Sequence, residues 1–369
     1  RRGLRVVNSP SGLTSLSAPD IGRCELYDCT VGPNILRTKS LKTDRSDTIC
    51  AFRPLPKTTM KTIFPEDLSH KDRHQLLLSG VNPRPIAFVS TLSENGDVNL
   101  APYSFFMAFS SKPPVVAIGP AIAARTGKAK DTWLNILATK QATISSVSYS
   151  MVHAMNIAAG EYPPDTDEFE KAGFTKAVST KVAPPFVKES PYAMECELME
   201  SIELRRDIGG NGNIVLLEVV AFHVAESVLV DGRVDPRRMD LVGRMGYSWY
   251  CRAQGDALFT LDQPGPNIGI GIDALPDHIK SSDVLTGSDL AKLAHVPTLP
   301  MLDGSFPRFD ADFRADSLEI ELAAGDAYAA LYVMLNSGRS HDRTVRHRIA
   351  KAFLAKNQIE EAWQTLLLE

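Results

Sequence analysis

Cysteine is scarce, five in 369 residues, and none stands in a CxxC pair or at a spacing from histidine that would hold a metal. This excludes a disulfide scaffold and a zinc module, and it points to a reducing compartment with free thiols. Cys196 and Cys251 have no flanking base, so thiol catalysis is not expected. No apolar run approaches the roughly 20 residues that span a bilayer, and no apolar h-region marks secretion. A Gly-rich fingerprint after a strand and a GxxxxGK[ST] loop are both missing, which removes the Rossmann and P-loop readings. An excess of charge of either sign is lacking as well, with 40 basic against 44 acidic residues. The net charge is −4, too small for a broad electrostatic case for nucleic acid or an anionic membrane. No metal site and no catalytic side chain are expected.

What is present is a globular composition, 44% hydrophobic, organised around residues 82–106, NPRPIAFVSTLSENGDVNLAPYSFF. Pro83 and Pro85 hold the start extended and block helix. Residues 86–92 are β-branched, aromatic and small, with apolar residues on both faces, as suits a buried strand. Asn95-Gly96 predicts a type I′ turn with both residues at positive φ. Pro102 ends the returning strand, because it cannot donate to a ladder. Ser90 and Thr91 lie at one end of this hairpin. Asn99, Ser104, Ser110 and Ser111 follow the other strand. Hydroxyls, amides and freed N–H groups at strand ends can hold a polar ring system and a sugar-alcohol chain. They can equally serve as turn and cap formers.

A second stretch runs from Arg125 through Lys128 and Lys130 into Asp-Thr-Trp-Leu-Asn-Ile. From Asp131 the period is helical, with Trp133, Ile136 and Leu137 on one face. Asp131 is the expected N-cap and Thr132 the first-turn residue. Cations beside a helix start make a phosphate site; a capped surface helix with solvated lysines is the plainer alternative. Asp131 should cap or accept a hydroxyl bond rather than face a phosphate, since like charges repel.

Residues 67–78 read as a short helix, 115–119 and 142–147 as strands, and 148–159 as a helix. Residues 194–204 alternate almost perfectly, as a half-exposed strand should. Residues 207–213 form a Gly/Asn turn, and 214–230 a long strand in which His223 shares the side of Val219 and Ala221, as an interior histidine. Arg244, Tyr247 and Tyr250 can close over a bound ring or form a dimer contact. The total, five or six mostly antiparallel strands with short helices, suits a closed or split barrel.

The flanks differ. Residues 1–59 do not begin with Met, are rich in Ser, Thr, Pro and Arg, and carry Cys24, Cys29 and Cys50. They read as a disordered leader or a gene-model artefact, with Met60 as the true start. A mitochondrial transit segment is the other reading, against which stand Asp20, Glu25 and Asp28. Residues 264–314 read as a linker, and 315–369 as a helical extension. In it, 343–355 and 358–368 form a helical hairpin turning at Lys356-Asn357, and no chemistry is visible.

From Met60 to about Tyr250 the chain resembles the flavin reductase-like family of FMN-binding split barrels. The resemblance rests on residues 82–106, then SSKPPVVAIG, KDTWLNI, EYPPDTDEFEKAGFT, APPFVKESPYAMECEL and DGRVDPRRMDLVGRMGYSWY, in that order. It implies a mainly β fold over residues 60–263, a six-stranded antiparallel split barrel with Greek-key topology, working as a homodimer with FMN in a groove at the interface. The family's FMN contacts fall on Ser90, Thr91, Asn99, Ser104, Phe105, Ser110, Ser111, Lys130, Asp131 and Thr132. Arg84 and Lys128 are further candidates for the phosphate. The implied activity is that of an NAD(P)H-dependent flavin reductase, in which a reduced nicotinamide, from NADH or NADPH, gives a hydride to flavin N5 and a small-molecule acceptor takes the electrons. The alternative is an FMN-binding electron carrier or flavin-storage module without nicotinamide turnover. A pyridoxamine-phosphate-oxidase-like activity on a related barrel is a third reading. The expected location is cytoplasmic, or mitochondrial if the leader is real.

Overall fold

The computed structural model of the chain describes residues 60–122, 127–204, 212–261, 263–265, 268–310, 313–339 and 342–368. The leader, Arg125 and most of the expected turn at 207–213 lie outside them. The described residues form two compact units.

The first unit comprises 60–271 with 295–299. It opens with α1 (His70–Gly80), capped by Ser69, whose hydroxyl accepts from Asp72 N at 3.1 Å. Then come β1 (Ala87–Leu92), β2 (Val98–Tyr103), β3 (Phe106–Ser111), β4 (Pro114–Ile118), α2 (Asp131–Thr139) and β5 (Gln141–Ser145). These are followed by α3 (Val152–Ala158), α4 (Glu168–Ala172), β6 (Lys176–Ala177), β7 (Phe186–Val187), β8 (Tyr192–Glu203) and β9 (Asn213–Val224). Small elements close the unit: β10 (Leu229–Val230), β11 (Arg233–Val234), α5 (Pro236–Met239), β12 (Val242–Arg244) and β13 (Tyr250–Arg252).

The main sheet is antiparallel and has seven strands in the order β2-β1-β5-β8-β9-β4-β3. Its two edges, β2 and β3, are separated in sequence only by Ser104 and Phe105. The sheet therefore curls round on itself, and its fold is the split barrel. The expected six strands become seven because one long strand bends at Ser104-Phe105 and changes edge. At this bend Gly119 N donates to Phe105 O at 2.8 Å.

Alternation lines the interior. Ala87 and Val89, Val116 and Ile118, Ala142 and Ile144, Met194 and Cys196, and Val215, Leu217 and Val219 form one core, into which α2 inserts Trp133 and Ile136. Outside β1 and β2 a second core joins Phe88 and Leu100 to Met151, Met155, Phe169 and Val242. Each fully buried side chain of this size contributes about 1.5–3 kcal/mol.

Three local expectations need correction. The β1–β2 connection is not a two-residue type I′ turn. It runs from Ser93 to Asp97, and of Asn95 and Gly96 only Gly96 takes positive φ, at 90°. Ser93 Oγ accepts from Asn95 N and Asp97 N and so favours the longer loop. The alternation of β8 holds only in part, since its first half is buried on both faces and its second half is mostly exposed. Third, a bulge pairs Glu195 with Ala221 but Cys196 with Val219. The extra residue flips the parity of β9. His223 therefore lies on the outer face, stacked on Phe186 at 4.3 Å between ring centroids, with Nε2 at 2.6 Å from Glu195 Oε1.

The second unit comprises 272–294 and 300–368. It contains α6 (Asp277–Lys280), α7 (Gly287–Ala294), α8 (Leu318–Ala324), α9 (Ala327–Asn336), α10 (Arg343–Ala355) and α11 (Ile359–Leu367). Gly325, at φ 72°, separates α8 from α9, and Asn357, at φ 59°, turns α10 into α11. The stretch expected as a linker, 264–314, is partly folded: Ile279, Leu290 and Leu293 are buried, and Trp363 Nε1 donates to Leu293 O at 3.1 Å.

Candidate functional site

The expected site residues concentrate where α2 lies against the β1–β2 hairpin. Thr91 and Asn99 are cross-strand partners, so their side chains share a face. Thr132, in the first turn of α2, donates from Oγ1 to Asn99 Oδ1 at 2.7 Å. Thr91 Oγ1 donates to the same oxygen at 3.4 Å, and Asn135 Nδ2 donates to Thr91 Oγ1 at 3.1 Å. The other end of Asn99 is held by Glu168 of α4, whose Oε2 accepts from Asn99 Nδ2 at 3.4 Å and from Leu100 N at 2.9 Å.

This is a closed frame. Thr91 and Thr132 are buried, and both hydroxyls are directed at Asn99 Oδ1. They set the position of α2 on the barrel. Burial pushes the Glu168 carboxyl up, against the bonds from Leu100 N and Asn99. Burial also raises the Tyr103 phenol to about 12, with a hydroxyl bond to Thr132 opposing and the charges of Asp131 and Glu168 reinforcing. Tyr103 thus stays protonated beside the frame.

The N-cap of α2 is Lys130, with no side-chain cap, and Asp131 is the first helical residue. The expected Asp131 cap is not formed, because Asp131 lies one residue too far into the helix for its carboxylate to serve the first turn. Among the described residues no side chain caps the leading N–H groups of α2. Lys130 Nζ is 3.5 Å from Glu161 Oε1, and both are well exposed. Lys128 lies on the exposed approach to the helix.

The other candidates are placed elsewhere. Arg84 is buried, and its guanidinium donates to the carbonyls of Val81 (2.5 Å), Leu78 (2.9 Å) and Met245 (3.0 Å), with Nε 3.4 Å from Ser104 Oγ. Those carbonyls take three of its five N–H donors, and it clamps the end of α1 to Met245. Ser104 and Phe105 form the β2–β3 bend, with Phe105 exposed. Ser110 and Ser111 sit on the exposed end of β3, where Ser110 Oγ accepts from Lys112 N at 3.3 Å. They are not joined to the frame. Ser90 Oγ is buried without a hydrogen-bond partner.

Glu168, Tyr103 and Asn135 were not among the sequence candidates. Glu168 opens α4 in a stretch whose sequence carries no strand or helix period, and its partners are 68 and 69 residues away. Among the described residues no His, Cys, Asp or Glu group could hold a metal, and burial pushes the Cys196 thiol well up, out of reach of thiolate chemistry. Among the described residues no helix is long and apolar enough to cross a membrane. The arrangement offers binding groups at an uncapped helix start and a rigid polar frame behind it.

Comparison with known proteins gives consistent matches. A family model described as "Flavin reductase like domain" matches residues 79–237. An uncharacterized protein of Aquifex aeolicus is 34% identical over 185 residues, covering 50% of this chain and 91% of that protein. One from Deinococcus radiodurans is 38% identical over 186 residues, covering 48% and 79%. Among solved structures, nitrilotriacetate monooxygenase component B from Bacillus cereus is 31% identical with a TM-score of 0.52, covering 56% of this chain and 100% of that one.

Proposed function

The chain belongs to the flavin reductase-like family, and from that premise we propose that it binds FMN and acts as a flavin-dependent oxidoreductase with NADH or NADPH as its electron donor. The observation that carries this reading is the start of α2, which lacks a side-chain cap and has Lys130 at its tip. Helix starts of this kind suit a phosphate, through free N–H groups and the helix dipole.

When bound, the flavin supplies the electron-transfer chemistry itself. The residues of the chain bind and orient it. Lys128, Lys130 and the first N–H groups of α2 hold the phosphate. Asn99, Ser104 and Phe105 lie along β2 and its bend, where the ribityl chain and ring would run. Thr91, Asn135 and Glu168 keep Asn99 and Thr132 in place, and Tyr103 remains a neutral donor. In this reading the active species is a homodimer, and the exposed β3–β4 hairpin brings Ser110 and Ser111 to the partner's flavin.

The test is the absorption spectrum of the purified chain, followed by FMN titration and by addition of NADH or NADPH under nitrogen. Yellow protein that bleaches with either nucleotide supports the enzyme. Yellow protein that stays yellow favours the electron carrier instead. Colourless protein that leaves FMN fluorescence unquenched sinks both. Lys130→Ala should weaken FMN binding by about 1 kcal/mol, a modest figure because the side chain is exposed and already near Glu161.

A further inference from the structure

A second feature of the first unit lies outside the α2 frame. Between the end of α1 and the β12–β13 hairpin is an open hollow of about 430 Å³, lined by Ser79, Asn82, Met245, Tyr247, Trp249 and Tyr250, among others. Two glycines allow the hairpin to lie this close. A Cβ on Gly246 would meet Ser79 Oγ at 2.7 Å and Ser79 Cα at 3.1 Å, and one on Gly243 would meet Pro83 Cβ at 3.1 Å. The hairpin turn is closed by Met245 N donating to Trp249 O at 2.9 Å. Within it Tyr247 adopts φ 52°, an unfavourable conformation for a side chain of its size. Tyr247 and Trp249 are held outward, 63% and 74% exposed.

The side chains lining this hollow are uncharged, and a cation, Arg244, stands against one of its walls. Arg244 places its guanidinium carbon 4.5 Å from the centroid of Tyr250, a wall of the hollow. Among the described residues no carboxylate pairs with it. The Arg84 clamp ties Met245 and the end of α1 into the same wall. We propose that this hollow seats a flat aromatic ring bearing a negative charge, with the ring against Tyr247 and Trp249 and the anion towards Arg244. Aromatic faces favour stacking, and an unpaired guanidinium on an aromatic wall favours an anion at the ring's edge. Its use as the seat of a second substrate rests on the flavin reading above; the binding itself does not.

The three tryptophans make the test direct. Trp133 and Trp363 are buried and only Trp249 is exposed. Benzoate is titrated into the full chain while tryptophan emission is followed, with cyclohexanecarboxylate and benzyl alcohol as the non-aromatic and uncharged controls. Expected is a saturable change with benzoate, about fivefold or more weaker with each control. Trp249→Phe should abolish the optical change while calorimetry still detects binding. Arg244→Gln should weaken benzoate by a similar factor with the fold intact by circular dichroism. No saturation by about 20 mM, or equal affinity in Arg244→Gln, overturns the proposal. So does competition between FMN and benzoate, which would make the hollow the flavin's own seat. A Trp249 signal that follows protein concentration and ignores benzoate would assign the hollow to a second copy and likewise overturn it. FMN binding is measured separately, so benzoate binding without FMN binding would sink the flavin reading and leave this one standing.

Discussion

At Asn99 one side chain holds three elements together: its amide nitrogen serves α4 through Glu168, and its oxygen receives Thr91 of β1 and Thr132 of α2. Asn99→Ala should leave two buried hydroxyls without their acceptor, at a cost of about 1–3 kcal/mol. Thermal melting reads that loss, and FMN affinity should fall with it. Unchanged melting would mean that the frame is decorative. Glu195 gives a second residue-level prediction. Desolvation alone would push its carboxyl up, but the Thr180 N–H, His223, the Thr180 hydroxyl and the Lys181 N–H outweigh it and hold the group at about 2, against 4.5 for an ordinary glutamate. The folded value is depressed, so the stabilisation is complete above the unfolded value and is lost as pH falls through the folded one. Between pH 4.5 and about 2, the wild type should lose about 3 kcal/mol that Glu195→Gln does not lose. Denaturant midpoints measured at both pH values check this, and identical acid limbs would refute it. The sequence shows which residue types cluster at the site, because hydroxyls and amides stand out at strand ends. It does not show which of them face a ligand. That depends on partners such as Glu168, nearly 70 residues distant, and on the bulge at Glu195 that turns His223 outward.

Elements are more legible than contacts. β1, β2, β4, α2 and the α10–α11 hairpin follow from periodicity and punctuation, since side-chain alternation and helical spacing are local properties, whereas β3 does not. Caps and turns were less so. Ser93 outcompetes the Asn95-Gly96 signal by offering its own hydroxyl to the loop, and α2 starts one residue earlier than its aspartate suggests. The bend between β2 and β3 had no sequence signature of its own. It depends on a glycine on another strand's exit, Gly119, where a Cβ would stand 2.7 Å from Phe105 Cβ. Because that contact is with an atom fixed to the backbone, Gly119→Ala should shift the bend and cost about 1–3 kcal/mol. Gly80, at the end of α1 with open space around it, is the control: alanine there should be neutral or mildly stabilising. Equal melting temperatures for the two variants would show that the bend does not need Gly119.

At the scale of the whole molecule, the two edge strands are only two residues apart in sequence, which obliges the sheet to curl, and β3 has no neighbour on its outer side. Exposed edge strands pair with other chains unless something blunts them. Here the edge carries Phe105, Met107 and Phe109, which are 38%, 55% and 59% exposed, with Phe109 in the bulge between β3 and β4. A second copy of the chain is the cover that the family resemblance implies, and a stable interface would bury about 1,600 Å² in total. Phe109→Lys should therefore convert a dimer to a monomer in sedimentation while leaving the fold intact, since the side chain packs on no core. If FMN sits at the interface, its affinity should fall in the same variant, and it should recover as protein concentration is raised into the range where dimers reform. A wild-type chain that sediments as a monomer at every concentration would remove the interface. A dimer that Phe109→Lys leaves undisturbed would move the interface to another face. Loss of the dimer with FMN affinity unchanged would place the flavin within a single barrel, on the α2 frame alone.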